Sequence, residues 1–189
     1  MKNNKRTFIA IKIPPQKALK DTIQALKYKF EKSKIKWVNT EDFHLTLHFL
    51  GETSPEQIEK INEILNCTAL QNAPFEIELK ELGAFYKNRQ PLVIWVGIAE
   101  NKKLTNLFSR LRESLSENGF ILEDRPFSPH LTLGRVKQIE DFDMLKSMLI
   151  HYKNVLFQKA DIKEVYFYES ILLPSGPVYK PINIVKLSQ

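Results

Sequence analysis

The chain has 189 residues, of which 43% are hydrophobic, 26% charged and 11% aromatic, a composition that excludes disordered and fibrous proteins and predicts one folded domain. Lysine and arginine outnumber aspartate and glutamate by 28 to 22, so the formal charge of +6 favours a polyanionic partner without naming one. The single cysteine, Cys67, excludes an intrachain disulfide, and no apolar run approaches the roughly 20 residues that span a bilayer, so we expect a cytoplasmic protein without membrane contact.

Hydrophobic periodicity predicts five elements in the first half of the chain. Leucine, isoleucine and phenylalanine recur at helical spacing before the first His-Leu-Thr-Leu tetrapeptide, and a serine followed by proline supplies a helix start after it. In chain order the elements are a strand at Phe8–Ile13, a helix at Gln16–Lys32, a strand at 44–47, a helix from Ser54-Pro55 to Asn66 and a strand at Phe75–Phe85.

The second half of the chain repeats this order. His-Leu-Thr-Leu recurs at 130–133, and the offset of 86 residues (130 − 44) maps each element onto a segment of the same type. These segments are Ile94–Ala99 in a strand-like run, a helix at Lys102–Asn118, a helix at Asp141–Tyr152 and a strand at Asp161–Ile171. We therefore expect a single bilobal α+β domain over residues 1–189, built from an internal repeat. In it, two pseudo-twofold-related antiparallel sheets line a central cleft, and helices cover the outer faces.

Each tetrapeptide concentrates chemistry on one face of its strand. Because side chains alternate along a strand, His44 shares a face with Thr46, and His130 shares one with Thr132. Of two imidazoles across a cleft, a neutral one can take a proton from water and a protonated one can give a proton to the leaving oxygen. Threonine hydroxyls can donate to phosphoryl oxygens. The pattern predicts phosphodiester hydrolysis without a metal.

Two other interpretations use the same residues. His44 and His48 have the spacing of a helical metal pair, but in a strand they would share a face about 13 Å apart, too far to bind one ion. We therefore expect no metal. A non-catalytic RNA- or nucleotide-binding module is the second class of function, and the two intact His-x-Thr units argue against it.

With these motifs the chain resembles the 2H phosphoesterases, most closely the RNA 2′,3′-cyclic phosphodiesterases historically called 2′-5′ RNA ligases. The resemblance covers nearly the whole chain and rests on an ordered set of motifs. They are Arg6-x-Phe8-x-Ala10-Ile11-x-x-Pro14, Trp37-x-x-x-Glu41-x-x-His44-Leu-Thr46-Leu-x-Phe49-Leu50-Gly51, Leu82-Gly83-x-Phe85, Val93-Ile94-Trp95-x-Gly97, Phe127-x-Pro129-His130-Leu-Thr132-Leu-Gly134-Arg135 and Glu169-Ser170.

The resemblance implies a bilobal fold, no cofactor, and opening of a terminal 2′,3′-cyclic phosphate on RNA to leave a 2′-phosphate, with 2′-5′ ligation as the reverse reaction. Carried onto this sequence, His44 is the proton donor to the departing 3′ oxygen and His130 the proton acceptor that activates water. Thr46 and Thr132 hold the phosphate. The near-symmetry of the two units leaves the donor and acceptor labels exchangeable. A related 2H enzyme on 2′-5′ oligoadenylate or nucleotide cyclic phosphates would use the same four residues.

Further substrate contacts are predicted with less specific signals. Arg135 matches the family pattern and can pair with a phosphate, although alternation from His130 points it to the opposite face unless a bulge or strand end intervenes. Phe8 and Tyr86 are candidates for stacking on a terminal base, with core packing as the alternative for Phe8. Arg89 lies in a basic loop expected to contact RNA. Phe49 stands where the second copy has Arg135, so we expect RNA to bind in one preferred direction. We also expect the protein to be a monomer.

Overall fold

The computed structural model describes residues 4–174 and 176–188, and within them it contains nine strands, four α-helices and one short 3-10 helix. In chain order these are β1 (Lys5–Lys12), α1 (Lys17–Lys29), β2 (Lys34–Trp37), the 3-10 helix (Thr40–Asp42), β3 (His44–Thr53), α2 (Pro55–Leu70), β4 (Phe75–Lys87), β5 (Gln90–Ile98), α3 (Lys102–Glu117), β6 (His130–Gln138), α4 (Phe142–His151), β7 (Leu156–Ile162), β8 (Glu164–Leu173) and β9 (Gly176–Lys186). All four predicted helices are present.

The nine strands form one antiparallel sheet, curled into a half-barrel. Its order is β7-β4-β5-β6-β3-β1-β8-β9, with β2 paired to β6 beside this path. β3 and β6 meet at the single pair Leu45↔Leu131, and these two residues are themselves 86 positions apart. Counting outward from this pair, β3 is followed by β1 and then β8, just as β6 on the other side is followed by β5 and then β4. The α+β architecture is confirmed, and the two expected sheets are joined at this edge.

The helices pack on one face of the sheet and bury the main hydrophobic core there. α1 contributes Leu19, Ile23 and Leu26, each buried, and burial of such a side chain stabilises the fold by about 2 kcal/mol. α2 begins with a capping box, in which Ser54 Oγ accepts from the Gln57 amide and the Gln57 side chain accepts from the Ser54 amide. The opposite, concave face of the sheet carries a smaller cluster around Phe8 and Tyr168, and none of the four described α-helices packs on it.

Three features depart from the sequence-based expectations. The single strand predicted at Asp161–Ile171 is wrong, because β7 ends at Ile162 and β8 begins at Glu164. β7 pairs with β4 whereas β8 pairs with β1, so the two strands lie at distant positions in the sheet. The offset between β1 and β5 is 85 and not 86, because Ile11 pairs with Leu45 whereas Val96 pairs with Leu131. Finally, β2 and β9 were not predicted.

Among the described residues, no helix is both long enough and apolar enough to cross a bilayer.

Candidate active site

Four polar side chains surround the junction of β3 and β6 on the concave face. Extending the Leu45↔Leu131 register by one residue sets His44 opposite Thr132 and Thr46 opposite His130. All four are partly buried, while the leucines between them are buried on the helix side. The two imidazoles therefore occupy diagonal corners of a small square, and the two hydroxyls occupy the others.

Both imidazoles are oriented by the same hydrogen bond. His44 Nδ1 lies 2.6 Å from the Asp42 carbonyl, and His130 Nδ1 lies 2.7 Å from the Ser128 carbonyl. Because a carbonyl only accepts, each Nδ1 carries the proton and donates it, which leaves Nε2 as the ring nitrogen able to take up or release a proton. In the described part of the chain, neither Nε2 has a hydrogen-bond partner. The site thus presents two titratable nitrogens toward the concave side.

The two supporting carbonyls come from differently built segments. Asp42 ends the 3-10 helix. Asn39 caps the start of this helix, where its side chain accepts a hydrogen bond from the Glu41 amide at 3.3 Å. Ser128 belongs to an irregular segment anchored by Phe127, whose ring stacks on Phe108 with centroids 3.9 Å apart. Both carbonyls are therefore held in place before any ligand arrives.

Burial lowers the pKa of both histidines, because the charged imidazolium loses hydration. The Nδ1 hydrogen bonds to the carbonyls of Asp42 and Ser128 act in the opposite direction and raise the pKa of each ring. The positive charge of Arg135 lowers the pKa of both rings further, and His130 lowers that of His44. The free site therefore favours neutral imidazoles, and an anionic phosphate beside them favours protonation.

A bulge in β6 places Arg135 on the face of the histidines. Ile94 pairs with Gly134 whereas Trp95 pairs with Thr132, so Leu133 has no partner of its own. Leu133 and Gly134 are consequently both buried, and the following Arg135 is exposed on the concave side. The sequence alone did not decide whether β6 contains a bulge that turns Arg135 toward the histidines, and the structure contains one.

The corresponding bulge in β3 separates His44 from His48. Ile9 pairs with His48 and Ala10 with Thr46, which leaves Leu47 unpaired. His48 is therefore 4% exposed on the helix side, where its Nε2 lies 3.0 Å from the Phe108 carbonyl. The expectation that the two histidines share a face is wrong, and the bulge is the reason. The same shift brings Phe49, which is 51% exposed, to the concave side.

Aromatic rings surround each imidazole, with different partners in the two halves. The His44 ring lies 5.1 Å from Phe8 and 5.0 Å from Tyr179, between ring centroids. The His130 ring meets Phe85 edge-on at 4.8 Å and lies 6.3 Å from Trp95. Tyr179 was missed in the sequence because β9 has no clear strand signal.

The structure places both predicted stacking residues, Phe8 and Tyr86, away from the open concave surface. Phe8 is 3% exposed, so it packs beneath His44 and presents no free face to a base. Tyr86 contacts Phe142 of α4 at 6.4 Å, on the helix side, because its neighbour Phe85 takes the concave side. Arg89 is exposed in the two-residue turn between β4 and β5, with a positive φ of 64°. Its contact with RNA stays a prediction.

Among the described residues, no three histidine, cysteine, aspartate or glutamate side chains are grouped so that they could hold a metal ion.

Comparisons with known proteins identify the family of this chain and proteins with a similar fold. The family model described as LigT like Phosphoesterase matches residues 13–95 and again residues 96–179. An RNA 2′,3′-cyclic phosphodiesterase of Methanocaldococcus jannaschii is 40% identical over 178 residues, covering 94% of this chain and 98% of that protein. One of Thermotoga maritima is 36% identical over 182 residues, covering 93% and 91%. The crystal structure of TT0787 of Thermus thermophilus superposes with a TM-score of 0.76 at 27% identity, covering 96% of this chain and 97% of that one. With its two family matches and its paired His-x-Thr strands, the chain belongs to the LigT-like phosphoesterase family.

Proposed function

We propose that this chain is an RNA 2′,3′-cyclic phosphodiesterase, which opens a terminal cyclic phosphate to a 2′-phosphomonoester. The observation that carries the proposal is the square of two histidines and two threonines at the β3–β6 junction, with each Nε2 available for proton transfer. The relatives named RNA 2′,3′-cyclic phosphodiesterase support the substrate class. Two consecutive family matches support an internal repeat within one domain.

The proposed reaction uses one histidine for each proton transfer. His130 Nε2 takes a proton from water, the water oxygen bonds to phosphorus, and the bond from phosphorus to the 3′ oxygen breaks. His44 Nε2 gives its proton to that 3′ oxygen, which leaves a 3′ hydroxyl and a 2′-phosphate. The diagonal placement suits this division, because attacking and leaving oxygens stand on opposite sides of the phosphorus. The near-symmetric site allows the same two groups to exchange roles in the reverse, ligating direction.

Hydrogen-bond donors and one cation stabilise the phosphate in this proposal. Thr46 and Thr132 donate to the non-bridging oxygens, where negative charge develops in the transition state. Arg135 supplies a charged, forked donor, and its effect on the pKa of both histidines supports a position near the reacting phosphate. No cofactor is required by these steps.

The difference between the halves gives the substrate a direction. Arg135 lies on the β6 side of the junction, whereas Phe49 occupies the matching place on the β3 side. Phe49 is exposed and close to Phe8, with ring centroids 6.1 Å apart. Phe49 therefore replaces Phe8 as the candidate for stacking on the terminal base.

The partner and setting complete the proposal. RNA with a terminal 2′,3′-cyclic phosphate is the proposed partner, without membrane contact, and a reduced, unpaired Cys67 fits the cytoplasm. A monomeric state is predicted and can be checked by light scattering. A relative acting on 2′-5′ oligoadenylate or nucleotide cyclic phosphates would place the same four residues around its phosphate, so turnover on each substrate separates these enzymes.

The proposed function is tested by incubating a short RNA ending in a 2′,3′-cyclic phosphate with the protein. The expected product is a 2′-phosphomonoester, identified by its ³¹P resonance and by a mass gain of one water. Binding of this RNA without any product would favour the non-catalytic binding module. A 3′-phosphate product would contradict the assignment of the leaving oxygen.

A further inference from the structure

A second cation stands beside Arg135 on the concave side of the sheet. β2 runs along the edge of β6 and places Lys36 directly opposite Arg135. Directly opposed residues of an antiparallel pair point to the same face, with Cβ atoms about 5 Å apart. Because the bulge at Leu133 turns Arg135 toward the histidines, Lys36 faces the same side, one strand farther from the catalytic square.

The ammonium group of Lys36 reaches the opposite half of the sheet. Its Nζ lies 2.9 Å, and its Cε 3.5 Å, from the position that a Cβ on Gly176 would take. Gly176 begins β9, at the hairpin that follows β8, whereas β2 and β6 belong to the other half. The missing side chain at Gly176 therefore leaves room for the lysine, whose ammonium bridges one end of the concave surface.

Lys36 and Arg135 thus place two positively charged side chains beside each other on the concave side. Arg135 takes part in no ion pair within the described part of the chain. Two adjacent cations on one face are matched by a ligand that carries two successive negative groups.

We propose that Lys36 binds the phosphodiester on the 5′ side of the terminal nucleotide and so makes the enzyme prefer an RNA end over a free cyclic mononucleotide. The inference rests on the proposed function and deepens it. Arg135 is the cation whose charge reaches both histidines, so it is assigned to the cyclic phosphate. Lys36, one strand farther out, is left for the next phosphate along the chain.

The test compares two substrates with the same cyclic end, of which only one carries this phosphodiester and the nucleoside on its 5′ side. One is a nucleoside 2′,3′-cyclic phosphate with a free 5′ hydroxyl, and the other is a dinucleotide with the same cyclic end. Lys36→Gln is expected to lower kcat/KM on the dinucleotide about tenfold, through KM, and to change it less than about twofold on the mononucleotide. The salt dependence of dinucleotide binding should lose about 0.7 from its logarithmic slope.

Two further variants control for charge and folding. Lys103→Gln removes the same charge from the exposed start of α3 and should leave both substrates unaffected. Lys36→Arg keeps the charge and should retain most of the dinucleotide preference. Equal losses on both substrates, or no loss on either, would overturn the role of Lys36. A wild-type protein inactive on both substrates would instead overturn the proposed function.

Discussion

Replacing Gly83 by alanine tests how firmly the aromatic rings beside His130 are packed. Gly83 pairs with Trp95 across β4 and β5, and the indole lies over the glycine backbone. A Cβ at residue 83 would stand within 2.5 Å of three atoms of the six-membered ring. Because carbon atoms in ordinary contact lie about 3.5 Å apart, the indole atoms that stand 2.1 and 2.2 Å from this Cβ position must move by more than about 1 Å.

This displacement should reach the His130 imidazole. The Trp95 ring lies 5.3 Å from that of Phe85, and Phe85 contacts His130 edge-on at 4.8 Å. We expect Gly83→Ala to cost about 1–3 kcal/mol of unfolding free energy through overpacking. A catalytic group misplaced by about 1 Å costs up to ~10²-fold in rate, so kcat should fall at least about tenfold. Urea unfolding and single-turnover hydrolysis of the cyclic phosphate measure the two effects.

Two comparisons make this prediction specific. Gly119→Ala also replaces a glycine, at a φ of +82° and with nothing within 4 Å of the added Cβ. It should cost about 1 kcal/mol through backbone strain and leave kcat unchanged. Adding Trp95→Phe to Gly83→Ala shortens the clashing ring and should restore part of the lost rate. A Gly83→Ala protein with wild-type stability and wild-type kcat would refute the packing argument.

Three further predictions concern charge, acid stability and metals. Arg135→Gln should raise the pKa of His44 and of His130, because it removes a positive charge that disfavours the imidazolium form. The acidic limb of the pH–rate profile should then move to higher pH. Histidine proton resonances in an NMR titration measure the change in pKa. Burial lowers the pKa of His48 in the folded protein to about 4. In the unfolded chain the pKa of this residue is about 6.5, so below that pH the unfolded chain binds more protons than the folded protein. The free energy of unfolding should therefore fall by about 2 kcal/mol between pH 7 and pH 5. Urea unfolding should show that His48→Gln reduces this loss, and an unchanged pH dependence would contradict it. Hydrolysis should continue in excess chelator, whereas activity lost in chelator and restored by a divalent ion would refute the metal-free mechanism.

The centre of the site could be predicted from the sequence because its signal is local and occurs twice. His-x-Thr at alternating positions fixes which side chains share a face, and the repeat indicates that two such faces meet. The four helices follow from hydrophobic periodicity and from caps such as Ser54. These features depend on neighbours in the chain, so the sequence alone carries them.

The surroundings of the site depend on strand pairing, which the sequence does not display. The bulges at Leu47 and Leu133 arise against β1 and β5, and they decide the faces of His48 and Arg135. β2 has four residues, and it is a strand because its backbone pairs with β6. Tyr179 reaches His44 only because β9 pairs with β8. Lys36 gains its proposed role through the same long-range contacts.

The most direct test of two-histidine catalysis is turnover by His44→Ala and His130→Ala on RNA ending in a 2′,3′-cyclic phosphate. Each variant should lose about 10²–10⁴-fold in kcat, with unchanged urea unfolding midpoints at pH 7 as the control for folding. Each should also lose one limb of the bell-shaped pH–rate profile, since one of the two titrating groups is gone. A variant that keeps wild-type kcat and both limbs would contradict the assignment of that histidine to proton transfer.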